Sequence, residues 1–164
     1  MDENNIKNIK NSSKFDDLDI KILNILMQNS RTKMTKIART LHTTTQTVKN
    51  RIVRMKKKGL IKRFTVQVNS EMLGYSESAT VFLKIMKADK DQFNELINFL
   101  KHHKNIIDLI GVIGDYNLSF IIISKTPEEM DEILNNITYK FKDIISDMKT
   151  IVMTKIYKLE EYTF

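Results

Sequence analysis

Apolar positions recur at helical spacing from Leu18 to Met55 and at alternating spacing beyond Tyr75, so two kinds of architecture follow one another along the chain. Leu18, Ile22, Ile25 and Leu26 fall at i, i+4, i+7 and i+8, one face of a helix. Asp16, Asp17 and Asp19 cluster at its start, where acids complement the helix dipole, and this structural role outweighs a metal-binding one. Met34, Ile37, Ala38 and Leu41 predict a second, short helix capped by Thr32 or Thr35. After His42-Thr43, Thr44 is the N-cap of a third helix running to Lys58, with the stripe Val48, Ile52 and Met55 and with Gly59 as its C′ glycine. Three short helices with so brief a connector between the last two make a helix-turn-helix. Leu60–Val68 then reads as an extended segment leaving the helices.

In the second half, Val81, Leu83 and Ile85 alternate with Thr80, Phe82 and Lys84, predicting a strand, and Phe93, Leu96, Ile97 and Leu100 mark a helix. Ile106–Ile113 and Leu118–Ser124 read as strands joined through Gly114-Asp115-Tyr116-Asn117; the second is nearly all apolar and so central in its sheet. Thr126-Pro127-Glu128-Glu129 combines an N-cap, proline at N1 and a glutamate at N3 completing a capping box, ahead of the stripe Met130, Ile133, Leu134 and Ile137. A last strand is expected over roughly Thr150–Lys158. The order β-α-β-β-α-β is a ferredoxin-like unit. The fold class is therefore α+β: an N-terminal three-helix, winged-helix-like helix-turn-helix domain (15–63), an extended linker (64–74) and a ferredoxin-like domain (75–164), after a polar, flexible tail (1–14). Met34, Met55 and Met130 sit on apolar stripes and are expected in cores.

Charge sharpens this division. The net charge of +7 is a cancellation: residues through Phe64 hold sixteen cations and five anions, a net +11, and the remainder carries −4. From Ile20 to Ser70 there are thirteen cations and not one carboxylate. Such a segment needs an anionic partner, nucleic acid or a membrane surface. No apolar run approaches the ~18 residues of a membrane span, and residues 1–13 lack the apolar stretch of a signal peptide. With no cysteine there is no disulfide scaffold, thiolate nucleophile or Cys-based zinc site, and the cytoplasm is the expected compartment.

The chain resembles the Lrp/AsnC, or feast/famine, family of transcriptional regulators over about Phe15 to the C-terminus. Leu18-Asp19-Ile20-Lys21-Ile22-Leu23, Arg31 and Ile37-Ala38 carry the likeness, and Val48-Lys49-Asn50-Arg51-Ile52-Val53-Arg54-Met55-Lys56-Lys57-Lys58-Gly59-Leu60-Ile61 carries it most specifically. Gly114-Asp115-Tyr116-Asn117-Leu118 resembles the family's glycine-centred hairpin. The resemblance implies a DNA-binding helix-turn-helix, a ligand-sensing and oligomerising C-terminal domain, assembly as dimers or rings of dimers, and a response to amino acids. It implies effector-binding residues at Ile113, Gly114, Asp115 and Asn117, near a subunit interface. Asp115 would pair an α-amino group there, and Asn117 or backbone N–H groups would receive a carboxylate. The chain departs from the family pattern in having His42-Thr43 where Gly then Leu is usual, lysines rather than acids at 56–58, and Asn117 in place of a second Asp.

A helical wheel locates the DNA face independently. At 100° per residue, Val48, Ile52 and Met55 cluster, and Gln46, Asn50 and Lys57 lie opposite, flanked by Lys49, Val53 and Arg54. Amides bond adenine edges, cations read guanine, and a small apolar group meets a thymine methyl. Residues early in a recognition helix sit deepest in the major groove, so Thr45, Gln46, Lys49, Asn50 and Val53 are the candidate base contacts. Arg31, Arg51, Arg54, Lys56 and Lys57 are the candidate phosphate contacts; the alternative for Arg51 is a structural role, capping or bracing the preceding helix, because it borders the buried stripe.

Enzymatic signals are sparse. His102 and His103 are adjacent and cannot share one metal as an i, i+4 pair would; His42 stands alone; nucleophile elbow and phosphate loop are absent. No metal, cofactor or catalytic residue is expected. The hairpin Gly111–Asn117 reads either as a tight turn or as the effector site. Two alternatives to a site-specific dimeric regulator are a siroheme-decarboxylase-like subunit, betrayed by visible absorption, and a low-specificity architectural DNA-binding protein, betrayed by footprints that random competitor DNA erases. The expected partners are double-stranded DNA at pseudo-palindromic sites, further copies of the chain and an amino-acid effector, with no membrane.

Overall fold

In the computed structural model, which describes residues 15–158, Asp16 caps helix α1 (Asp17–Gln28) as the acid cluster predicted. Its carboxylate accepts from the Asp19 N–H, while the Asp19 side chain accepts from the Asp16 N–H, a reciprocal capping box. The tail expected at 1–14 lies outside the described residues. Packing divides those residues into two units, one running to Gln67 and including Lys158, the other Val68–Tyr157.

In the first unit, α1 is followed by α2 (Met34–Thr40) and α3 (Thr45–Lys57). Neither Thr32 nor Thr35 caps α2: its N-cap is Lys33, which supplies no side-chain hydrogen bond. Met34, expected in the core, is 40% exposed, because the first turn of so short a helix clears its neighbours. Ile22, Leu26, Ile37, Ala38, Val48, Ile52, Met55 and Ile61 form the core, each large side chain contributing about 1.5–3 kcal/mol. Thr44 caps α3 as read from the sequence, its hydroxyl accepting from the Thr47 N–H. At the other end Gly59 (φ 78°) closes a Schellman motif, with Leu60 N–H bonded to Met55 O and Gly59 N–H to Lys56 O. Beyond Ile61 the chain makes no strand pairing from Lys62 to Asn69, so the described part of this unit holds no β-wing.

The turn between α2 and α3 is also a Schellman motif: Thr43 N–H reaches Ala38 O and His42 N–H reaches Arg39 O, with His42 at φ 50°. The departure from glycine at this place therefore leaves the turn geometry intact and puts a histidine in left-handed backbone. That conformation costs a side-chain-bearing residue about 1–2 kcal/mol, against roughly 0.4–1 kcal/mol of unfolded-state entropy that a glycine would add. His42→Gly is expected to stabilise the unit by about 0.5 kcal/mol and His42→Val to destabilise it. Thermal melts of the two variants check this.

The second unit begins with a single 3-10 turn at Glu71–Leu73 and continues β1 (Glu77–Ile85), α4 (Lys90–His102), β2 (Ile106–Gly111), β3 (Leu118–Ser124), α5 (Pro127–Lys140) and β4 (Ile145–Val152). The antiparallel sheet has the order β2-β3-β1-β4, with the apolar β3 central as its composition predicted. Ala79, Val81 and Leu83 of β1 and Leu118, Phe120 and Ile122 of β3 face Leu96 and Leu100 of α4 and Met130, Leu134 and Ile137 of α5. The last strand starts at Ile145 and ends at Val152, not Thr150–Lys158; as an exposed edge strand it shows little apolar alternation to betray its position. Both edge strands are bulged. Ile107 is the extra residue of β2 and Ser146 that of β4, where the Ser146 hydroxyl donates to Lys84 O.

The capping box expected at α5 is only half formed. Thr126 caps the helix and Pro127 stands at N1, but Glu129 turns its carboxylate to the Lys125 N–H at 2.7 Å and to Asn105 Nδ2 at 3.4 Å rather than to the N-cap backbone. The Lys125 N–H holds the Glu129 carboxyl below its usual range.

Candidate nucleic-acid interface

The stripe Val48, Ile52 and Met55 is buried against α1 and α2, and this fixes which way α3 presents its other side. Thr45, Gln46, Lys49, Asn50 and Val53 are all exposed on that side, Val53 to 57%. Gln46 Nε2 donates to Asn50 Oδ1 at 2.8 Å. Lys56 and Lys57 are exposed in the last turn, where cations also complement the helix dipole, and Lys56 Nζ stands 5.8 Å from the Phe64 ring centre. Arg31 is exposed beyond α1, and its backbone N–H donates to Asn29 Oδ1.

Arg51 and Arg54 are placed differently. Arg51 Nη1 bonds Asp16 Oδ1 and Oδ2 at 2.6 and 2.7 Å and Asp19 Oδ1 at 3.0 Å, and Arg54 Nη2 pairs with Asp19 Oδ2. Asp19 is fully buried beneath them. The Arg51 hydrogen bond, with that from the Asp19 N–H, holds the Asp16 carboxyl below the usual carboxylate range, and Asp16 in turn raises the Arg51 guanidinium. These two arginines tie α3 to α1, and any anion approaching them competes with carboxylates. Arg51 thus has the structural alternative, but it braces α1 and not the immediately preceding helix α2; Arg54 shares the role, and Asp19, taken from the sequence as a first-turn acid, is its centre. Nothing local in the sequence marks this partnership, whose members lie more than thirty positions apart.

In the second unit the hairpin between β2 and β3 carries Ile113, Gly114 and Asp115 in the open, with Gly114 at φ 147°. Gly111 keeps ordinary backbone angles. Asn117 Oδ1 accepts from the Ile85 N–H at 2.7 Å and its own backbone N–H donates to Leu83 O, so its amide carbonyl pins the hairpin to β1 and its Nδ2 is the donor it can offer a ligand. The Tyr116 hydroxyl donates to Asp147 Oδ2 at 2.9 Å, a bond that raises the phenol's pKa. Among the described residues no group of His, Asp or Glu has the arrangement of a metal site, and no helix is long and apolar enough to cross a membrane.

A helix-turn-helix with a cationic outer face, followed along the chain by a ferredoxin-like α+β unit, defines the class of DNA-binding transcriptional regulators. Comparison with known proteins agrees. Residues 15–56 match the AsnC-type helix-turn-helix domain. The HTH-type transcriptional regulator FL11 of Pyrococcus furiosus is 31% identical over 149 residues, which cover 87% of this chain and 91% of that one. The structure of an AsnC family transcriptional regulator from Agrobacterium tumefaciens shares the fold, with a TM-score of 0.82 at 17% identity over 91% of this chain and 97% of the other. So does that of the transcriptional regulator NMB0573 of Neisseria meningitidis, solved with L-Met, at a TM-score of 0.81 and 16% identity over 89% and 94%. This chain belongs to the Lrp/AsnC family of transcriptional regulators, a family of DNA-binding proteins and not of enzymes.

Proposed function

We propose that the protein binds specific, pseudo-palindromic DNA sites as a dimer or higher oligomer, with α3 in the major groove. Residues 15–63 serve as the DNA-binding domain, 64–74 as linker and 75–164 as the sensing and oligomerising domain. The observation that carries the reading is the exposed, acid-free outer face of α3, where Thr45, Gln46, Lys49, Asn50 and Val53 are available to bases and Arg31, Lys56 and Lys57 to phosphates. Arg51 and Arg54 act first as the brace that holds this face in place. Gel-shift titrations at several salt concentrations test the division of labour. Lys57→Ala is expected to weaken binding equally on all sequences and lower the salt slope by about 1, whereas Asn50→Ala relaxes sequence preference. Equal loss of specificity in both variants would sink the assignment.

Oligomerisation is assigned to the sheet face that the helices leave bare. The strand register puts Phe82, Ile121, Ile123, Ile110 and Ile151 together on that face, interspersed with Thr80, Asp108, Ser119 and Lys149, and a second copy of the chain would cover this apolar patch and its polar surround. Pairing two chains pairs two recognition helices, as a palindromic site requires. An amino acid is the effector, with Ile113, Gly114, Asp115 and Asn117 as its site; the family relative solved with L-Met supports the ligand class. Because Asn117 Oδ1 is engaged, the ligand's carboxylate meets Asn117 Nδ2 and its amino group meets Asp115. Titration calorimetry with the twenty amino acids tests this, and absence of heat from all of them removes the assignment.

A further inference from the structure

Gln46 and Asn50 are one helical turn apart, and their amides are in contact: the Gln46 Nε2–Asn50 Oδ1 distance is 2.8 Å. Helical side chains lean toward the N-terminus, so the Asn50 amide comes back to the level of Gln46. One Gln46 N–H and one Asn50 Oδ1 lone pair are thereby spent on each other. Reading two base pairs independently would need the amides apart, each with its own carbonyl and N–H edge directed at its own base.

The contact also sets direction. A free asparagine amide presents its carbonyl and its N–H₂ either way round, and only one orientation places an acceptor at adenine N6 and a donor at N7 together. With Gln46 donating to it, Asn50 Oδ1 is fixed in place, keeps a second lone pair, and leaves both Nδ2 hydrogens without a partner among the described residues. Lys49 and Val53 flank the pair without a hydrogen bond to either amide.

We infer that Gln46 and Asn50 form a single reading unit for one A·T base pair, with Asn50 contacting the adenine edge and Gln46 acting as the positioning residue that holds the Asn50 amide in its reading orientation. This rests on the proposed placement of α3 in the major groove and narrows it: Gln46 ceases to be a reader in its own right.

The test is selection of bound sequences from a random DNA pool by the full-length protein, followed by affinity measurement on the selected site and on its single-base variants. The chains compared are the wild type, Gln46→Met, Asn50→Ala and the double variant. Gln46→Met keeps the side-chain length and helix propensity and removes the donor, and alanine at 50 favours the helix, so all four chains should fold. Both single variants are expected to relax the same position, an A·T pair, with discrimination there falling by about 5- to 150-fold. The double variant should lose no more than Asn50→Ala alone. Relaxation at two different positions, multiplicative losses in the double variant, or a shared position that is not A·T each overturns the unit while leaving DNA reading by α3 in place. A wild type that enriches no sequence overturns both.

Discussion

Replacing Asp19 by alanine is expected to destabilise the helical unit by about 3 kcal/mol, the largest effect of any single charge removal in it. Removal of one member of a buried ion pair costs roughly 3–5 kcal/mol, because the partner charges stay desolvated and unmatched. Here the carboxylate is fully buried and serves Arg51, Arg54 and the Asp16 N–H at once. The two arginines retain 24% and 41% side-chain exposure, so water recovers part of the loss and the lower end of that range applies. Urea unfolding followed by circular dichroism checks the figure. Asp16→Ala should cost clearly less, because its carboxylate is exposed and Arg51 keeps Asp19. Asp19→Asn is the informative intermediate: it keeps the shape and an acceptor but leaves Arg54 against a neutral amide, while Arg51 keeps Asp16. If Asp19→Ala and Asp16→Ala prove equally mild, the network is surface decoration, and the orientation of α3 rests on apolar packing alone.

Phe82→Asp is expected to dissociate the assembly, raising its dissociation constant by about 100-fold, since the interface loses a buried ring and must desolvate a carboxylate that the cross-strand Lys149 offsets only in part. Phe82 lies near the middle of the bare sheet face, opposite Ser119 on one side and Lys149 on the other, with the Tyr116 ring 5.8 Å away. It is only half-buried within its own chain, so each monomer should keep its fold, as far-UV circular dichroism will show. Sedimentation equilibrium reads the mass directly. Affinity for a two-half-site DNA should fall with it by about 10²- to 10⁴-fold, the advantage of linked binding, while affinity for one half-site barely changes. An unaltered mass would move the interface elsewhere on the molecule.

Much of this architecture was legible because its signals are local. Val48, Ile52 and Met55 mark a helix by spacing alone, Thr44 and Gly59 bound it, and Thr126-Pro127 announces α5. What was not legible depends on partners distant in the chain or on the lack of any periodic constraint. Arg51 and Arg54 look like phosphate ligands on a wheel, and only the approach of α1 brings Asp16 and Asp19 to them. Glu129 sits at the N3 position of a capping box, yet Lys125 and the buried Asn105 offer it other donors. Strand β4 escapes a pattern reading because, on the edge of the sheet, it need not alternate. The outer face of α3 was read correctly as exposed, but the contact between Gln46 and Asn50 depends on rotamers that spacing does not determine.

The bulges at Ile107 and Ser146 bear on how such a protein avoids clumping. They interrupt the outer strands, β2 and β4, where an unbroken row of free backbone groups would invite another chain to add as a further strand. A disrupted, more strongly twisted rim is a poor template for that reaction, and Asp147 and Lys149 add charge to one of the two rims. In the proposed face-to-face assembly, chains would use up the surface they meet by, and growth would close at a definite number of copies. Growth rim to rim would have no such stopping point.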